Sequence, residues 1–159
     1  MIKGKTFKFG DNIDTDQIYP GRYLELTDHQ EIAEHAMEGV DPDFADEVET
    51  GDIVVAGSNF GCGSSREHAV ICLKKSGVGA VIAKSFARIF YRNAVNMALP
   101  VIEVKDVDFK ADEKLEIDMN NAEIKRENGS IIKFTPFPEN ILEIYEAGGV
   151  IPYYKARHS

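Results

Sequence analysis

At 159 residues the chain is long enough to bury a sizeable core and short enough to be expected as a single domain over residues 1–159. An apolar fraction of 43% and a charged fraction of 28% are those of an ordinary soluble protein, and a formal net charge of −9 argues against a general nucleic-acid binder. No apolar run approaches the ~20 residues of a membrane span, and Met1-Ile2-Lys3-Gly4-Lys5 has no apolar signal core. The two cysteines, Cys62 and Cys72, make neither a disulfide framework nor a metal-ligand spacing, so no metal ligand is assigned here and a cytoplasmic location is the default.

Lys3 to Phe9 alternates polar and apolar and reads as a half-buried strand ended by Gly10. Asp11 to Ile18 is an acid-rich loop. It lacks the glycine and terminal glutamate of a calcium loop, which leaves a self-capping Asx turn as its reading from spacing. Pro20 to Thr27 follows as a further loop. Asp28 starts a helix expected to run through Gly39, with Glu31 as capping-box partner. Ile32, Ala33, Ala36 and Met37 form its core face, and His29 and His35 its wet side. Val40 to Thr50 reads as an acidic loop.

Asp52 to Ala56 is a β-branched buried strand, and Arg66 to Gly77 a helix with lysines in its last turn and a glycine stop. Between them lies Gly57-Ser58-Asn59-Phe60-Gly61-Cys62-Gly63-Ser64-Ser65, with Ser64 or Ser65 expected as the N-cap. Free N–H groups, the positive end of the helix dipole and Arg66 make this turn a candidate anion site carrying a hydroxyl. Spacing alone leaves an ordinary strand-to-helix turn open. The turn has no Lys-Ser/Thr of a phosphate loop, no third glycine of a dinucleotide fingerprint and no Gly-x-Ser-x-Gly elbow.

Gly79 to Ala83 reads as another buried strand. Ser85 is expected to cap a helix over Phe86 to Met97 with Phe86, Ile89, Phe90 and Ala94 inward. Arg88 and Arg92 stand four apart on one face, suited to a carboxylate, to a partner or to a solvated face. Pro100 to Val104 gives a strand, and Lys114 to Phe134 an antiparallel meander with turns at Asn120-Asn121 and Glu127-Asn128-Gly129. Pro138 opens the last expected helix, with Ile141, Leu142, Ile144 and Tyr145 inward and Gly148-Gly149 ending it. The whole predicts an α/β fold of mixed sheet and helices.

Three motifs in order, Asp14-Thr15-Asp16-Gln17-Ile18, Gly63-Ser64-Ser65-Arg66-Glu67-His68-Ala69 and Ala83-Lys84-Ser85-Phe86-Ala87-Arg88-Ile89-Phe90-Tyr91-Arg92-Asn93-Ala94, resemble the swivelling domain of the aconitase superfamily. From Lys8 to about Tyr153 the chain looks like the free-standing form of that domain, the small subunit of 3-isopropylmalate dehydratases and their homoaconitase relatives. The resemblance implies a β/β/α sandwich and a hydro-lyase that moves a hydroxyl between neighbouring carbons of a hydroxy acid, here 2- and 3-isopropylmalate in leucine biosynthesis. It implies Ser64 as base and Asp16 beside it at the catalytic centre. Ser65, Arg66 and Thr15 bind or orient substrate, Arg66 by a bidentate fork. The loop Tyr23, Leu24, Glu25 and Leu26 would face the substrate's variable group. Homoaconitases place an arginine where Glu25 stands, and Glu25 would repel a distal carboxylate or else point to solvent. His68 is expected as structural support, and Cys62 as a small loop residue.

The same resemblance implies a [4Fe–4S] cluster held by three cysteines. Two cysteines cannot do this, so the cluster is expected on a separate large subunit and the chain alone is expected to be incomplete. Two alternatives remain from the sequence: the same chemistry on 2,3-dimethylmalate or homoaconitate, and a non-catalytic anion-binding module of the same fold.

Overall fold

The structure is a computed structural model that describes residues 1–158. Its first strand, β1 (Ile2–Lys8), joins two kinds of sheet. Ile2 to Lys5 pair antiparallel with β5 (Lys114–Asp118), while Thr6 to Lys8 pair parallel with β2 (Ile53–Ala56). The parallel side continues through β3 (Ala80–Ala83) to β4 (Val101–Glu103). The antiparallel side continues through β6 (Glu123–Arg126) to β7 (Ile131–Lys133), giving the order β4-β3-β2-β1-β5-β6-β7. Parallel neighbours need crossovers. Helix α4 (Glu67–Ser76) supplies one between β2 and β3, and α5 (Arg88–Asn96) another between β3 and β4.

Successive strand side chains point to opposite faces, and β2 shows what each face meets. Val54 joins a core built with Ile32, Leu73 and Phe90 from the helices. Ile53 and Val55 join a second core with Leu115, Ile117 and Ile124 from the antiparallel strands. The layers are therefore helices, parallel strands and antiparallel strands, as the β/β/α expectation required. Among the described residues no helix is long and apolar enough to cross a membrane.

Several helix expectations are corrected. The acid-rich loop contains a short helix, α1 (Thr15–Ile18), closed by a capping box between Asp14 and Gln17. The helix from Asp28 stops early, as α2 (His29–Ala33), although Asp28 caps it as expected. Met37 then takes φ 57°. Its N–H and that of Gly39 donate to the carbonyls of Ile18 and Gln17, so tertiary contact removes the backbone from the helix. The acidic stretch holds α3 (Phe44–Glu47), pinned by the wholly buried Phe44. Helix α5 starts two residues after the expected Phe86, with Ala87 as N-cap; the Ser85 hydroxyl instead accepts from the Asn59 N–H. Ile89, expected inward, is exposed, and Val95 is buried with Phe90 and Ala94. Helix α6 (Glu139–Ala147) matches its expected bounds, but α7 (Val150–His158) follows it.

The antiparallel layer is locked by a pair that the sequence pattern did not reveal. Arg126 Nε donates to Glu113 Oε1 at 2.6 Å and Nη2 to Oε2 at 3.0 Å, and both side chains are largely buried. The hydrogen bond from Arg126 is the main cause that holds the Glu113 carboxyl below its ordinary 4.5. A depressed folded pKa stabilises the fold fully above the ordinary value, and that stabilisation is lost as pH falls through the lower one. Glu113→Gln should therefore lower stability by about 3 kcal/mol at pH 7, because it strands a buried guanidinium. In urea melts its deficit relative to the parent chain should shrink as the pH is lowered below 4.5. A deficit that is constant with pH would contradict this.

Candidate active site

The glycine turn between β2 and α4 is where the three motif segments meet. On one side the Gly61 N–H donates to the Ile13 carbonyl and the Thr15 N–H to the Cys62 carbonyl, both at 2.8 Å. On the other side the Phe60 N–H donates to the Ser85 carbonyl at 3.0 Å and the Ala87 N–H to the Phe60 carbonyl at 2.9 Å. Two turn glycines are required by this arrangement. Gly61 has φ +84°, and a Cβ there would lie 2.3 Å from the Phe90 ring. Gly63 has φ +99° and turns the chain so that Ser64 and Ser65 emerge exposed.

The N-cap of α4 is Arg66, not Ser64 or Ser65, and no side chain caps that end. The Ala69 N–H donates to the Arg66 carbonyl at 3.2 Å, and the cap side chain accepts from none of the first-turn N–H groups. Thr15 is buried, and its Oγ1 donates to the Ser64 carbonyl at 2.9 Å, which fixes the serine's backbone. Arg66 is held by two acceptors on the same nitrogen. Nη1 donates to Asp16 Oδ1 at 3.0 Å and to the Tyr19 carbonyl at 3.1 Å. Asp16 Oδ1 also accepts the Gly21 N–H at 2.9 Å. The hydrogen bond from Arg66, then that from Gly21, keeps the Asp16 carboxyl below its usual range. Asp16 is thus a carboxylate at neutral pH and an orienter of Arg66, with its own proton unavailable for acid catalysis.

These groups border a cleft of about 290 Å³ lined by Thr15, Gly63, Ser64, Ser65, Arg66 and Arg88, among others. Its volume is at the low end for small-molecule sites and suits a small acid. Arg88 lines the cleft from the first turn of α5, whereas Arg92 is exposed and outside its lining. Positive groups outnumber negative ones here despite the chain's overall charge.

The expected loop Tyr23, Leu24, Glu25 and Leu26 does not line this cleft. It begins at a 3₁₀ turn, Gly21–Tyr23, beside Arg66. Leu24 and Glu25 are exposed. Tyr23 and Leu26 are half-buried against the helical core, which leaves Leu24 as the exposed apolar side chain of the loop. His68 has the expected supporting role. Its Nε2 lies 3.1 Å from the Leu26 carbonyl, and its ring stacks on Tyr19 at 5.2 Å. His35, expected on the wet side, is instead half-buried and stacked on Tyr23 at 3.6 Å.

The thiols do not fit an iron–sulfur cluster. Cys72 is wholly buried, faces the carbonyls of Ala69 and Ile18, and burial pushes its thiol far up, away from the thiolate a metal needs. Cys62 sits in the turn, and the described residues hold no cluster of three His, Cys, Asp or Glu side chains placed for a metal.

A β/β/α layer sandwich with a Ser-Ser-Arg turn, an Asp-fixed arginine and a small cleft is the arrangement expected of the aconitase swivelling type. The sequence profile of the aconitase C-terminal domain family matches residues 12–107. The 3-isopropylmalate dehydratase small subunit of Halothermothrix orenii is 53% identical over 157 residues, 97% of this chain and 95% of that protein. A methanogen homoaconitase small subunit from Methanothermobacter thermautotrophicus is 51% identical over 155 residues, 97% of this chain and 91% of that protein. A crystal structure of 3-isopropylmalate dehydratase from Methanocaldococcus jannaschii superposes with a TM-score of 0.93 at 50% identity, covering 98% of this chain and 94% of that one. The chain belongs to the aconitase C-terminal domain family, among small subunits of the 3-isopropylmalate dehydratase type.

Proposed function

We propose that this chain is the small subunit of a two-subunit hydro-lyase that interconverts 2- and 3-isopropylmalate in leucine biosynthesis. The observation that carries the reading is Arg66. Asp16 and the Tyr19 carbonyl occupy Nη1 and leave Nε and Nη2 for a carboxylate, with Ser64 two residues away at the rim of the same cleft. In this reading the chain acts as one domain in the cytoplasm. Arg66 and Ser65 grip a carboxylate, Thr15 holds the turn in place, and Ser64, as its alkoxide, takes the proton from the carbon next to that carboxylate and becomes the neutral hydroxyl. Hydroxide leaves the neighbouring carbon, and water returns with its positions exchanged. A serine needs help to act as a base, and the uncapped first turn of α4 and Arg66 supply positive potential beside it.

Membership of the family points to iron–sulfur chemistry for the leaving hydroxide. Since the cysteines of this chain do not suit a cluster, the proposal places the cluster on a large subunit.

Homoaconitate is the second reading, supported by the 51% identical methanogen relative. Glu25 lies exposed and outside the cleft lining, so it would act on the longer acid's distal carboxylate only through solvent, where the repulsion is weak. The test is a panel of 2-isopropylmalate, 2,3-dimethylmalate and homoaconitate on the assembled enzyme. Isopropylmalate should give the highest kcat/KM; a higher value for homoaconitate would overturn the substrate assignment.

A further inference from the structure

Glu38 gathers the loop beside the cleft onto one carboxylate. Its Oε1 accepts from Arg22 Nη2 and from the Tyr23 hydroxyl, both at 2.8 Å, and its Oε2 lies 2.5 Å from His35 Nδ1. The Tyr23 ring is packed by His35, stacked at 3.6 Å and 12°, and by the Arg22 guanidinium at 4.7 Å. Its carbonyl accepts the Tyr19 hydroxyl at 2.6 Å. Glu38 is itself well mounted. Its neighbours Met37 and Gly39 donate their N–H groups to the Ile18 and Gln17 carbonyls of α1, at 2.7 and 3.1 Å. Asp16 belongs to that same helix. One frame therefore carries both the carboxylate that fixes Arg66 and the carboxylate that fixes the turn Gly21–Tyr23.

The turn connects the two. The Gly21 N–H donates to Asp16, and a Cβ on Gly21 would stand 3.2 Å from Arg66 Nη2, so Gly21 sits against the proposed carboxylate fork. If Arg22 and Tyr23 are released, Gly21 drifts, Asp16 loses an N–H partner and Arg66 loses its fixed direction. We infer that Glu38 is a positioning residue for substrate binding: by clamping Arg22, Tyr23 and His35 it holds Gly21 against the Asp16–Arg66 pair. This inference rests on the proposed role of Arg66.

Two measurements on Glu38→Ala and Glu38→Gln test it. In the first, hydrogen exchange is followed by mass spectrometry on the full-length chain without its partner. Amides of residues 20–27 should exchange about tenfold faster in Glu38→Ala and by an intermediate factor in Glu38→Gln, which keeps the shape but loses the charge. In the second, the assembled enzyme is assayed with 2-isopropylmalate. KM should rise about tenfold with kcat within about twofold, the pattern of lost binding geometry and intact chemistry. A residue that served only to stabilise the fold would lower the melting temperature and the active fraction without moving KM. Unchanged exchange in residues 20–27 overturns the clamp. Faster exchange with an unchanged KM overturns its link to substrate. If the parent enzyme turns over none of the hydroxy acids, the functional reading fails and the link to substrate with it. The exchange measurement then still decides the clamp alone.

Discussion

Ser64→Ala in the assembled enzyme should cut kcat by about a thousandfold, the range a positioned general base contributes, while the Kd for substrate changes less than about threefold. The structure explains why the two effects separate. The contact that holds the turn runs from Thr15 Oγ1 to the Ser64 backbone carbonyl, so alanine keeps it. Gly63 still supplies the left-handed turn, and Arg66 is still fixed by Asp16 and the Tyr19 carbonyl. What disappears is the hydroxyl alone. Pre-steady-state kinetics and an equilibrium binding measurement on the same variant check both halves. A kcat within tenfold of the parent would remove Ser64 from proton transfer.

Arg66→Lys should raise KM by about a hundredfold, the loss expected when a bidentate charged contact and its anchoring are removed together. The guanidinium spends Nη1 on Asp16 and the Tyr19 carbonyl and still offers Nε and Nη2. A single ammonium cannot satisfy those two acceptors and a substrate carboxylate in one plane. Asp16, exposed on its other side, would draw the lysine to itself. Steady-state kinetics on the assembled variant is the check; an unchanged KM would reduce Arg66 to a charge at a helix end.

Much of this site was legible because its signals are local. The run Ile53 to Ala56, the αL glycine stop at Gly77 and the antiparallel meander from Lys114 each follow from short patterns, and the structure places them as read. Asp14 to Ile18, Ser64 to Arg66 and the start of α5 carry three motifs, and backbone hydrogen bonds bring all three to one turn. What was not legible depends on partners far apart in sequence. The stretch Asp28 to Gly39 has a helical pattern throughout, yet carbonyls of α1 capture Met37 and Gly39 and end it. Phe44 is a lone aromatic in an acidic run and shows no periodicity, although it is wholly buried. A serine before a helix reads as a cap, but Ser85 bonds Asn59, and Ser64 lies two residues before the cap position. Gly148 ends α6 as read, but Pro152 falls in the first turn of α7, where proline is tolerated, so a further helix follows that the pattern did not announce. The Glu38 cluster reaches Arg22 and Tyr23 across 16 and 15 positions, and only its His35 contact is local, so no single window shows it.

The central claim is that this chain brings the base and the carboxylate clamp to a reaction whose remaining parts belong to a partner. It is tested most directly by titrating the chain into a cluster-loaded large subunit under anaerobic conditions, with 2-isopropylmalate present and the absorbance of the unsaturated intermediate followed. The account predicts no turnover from either protein alone and turnover that rises with added chain to saturation. Turnover by this chain alone, or none in the mixture with the cluster shown intact, would contradict it.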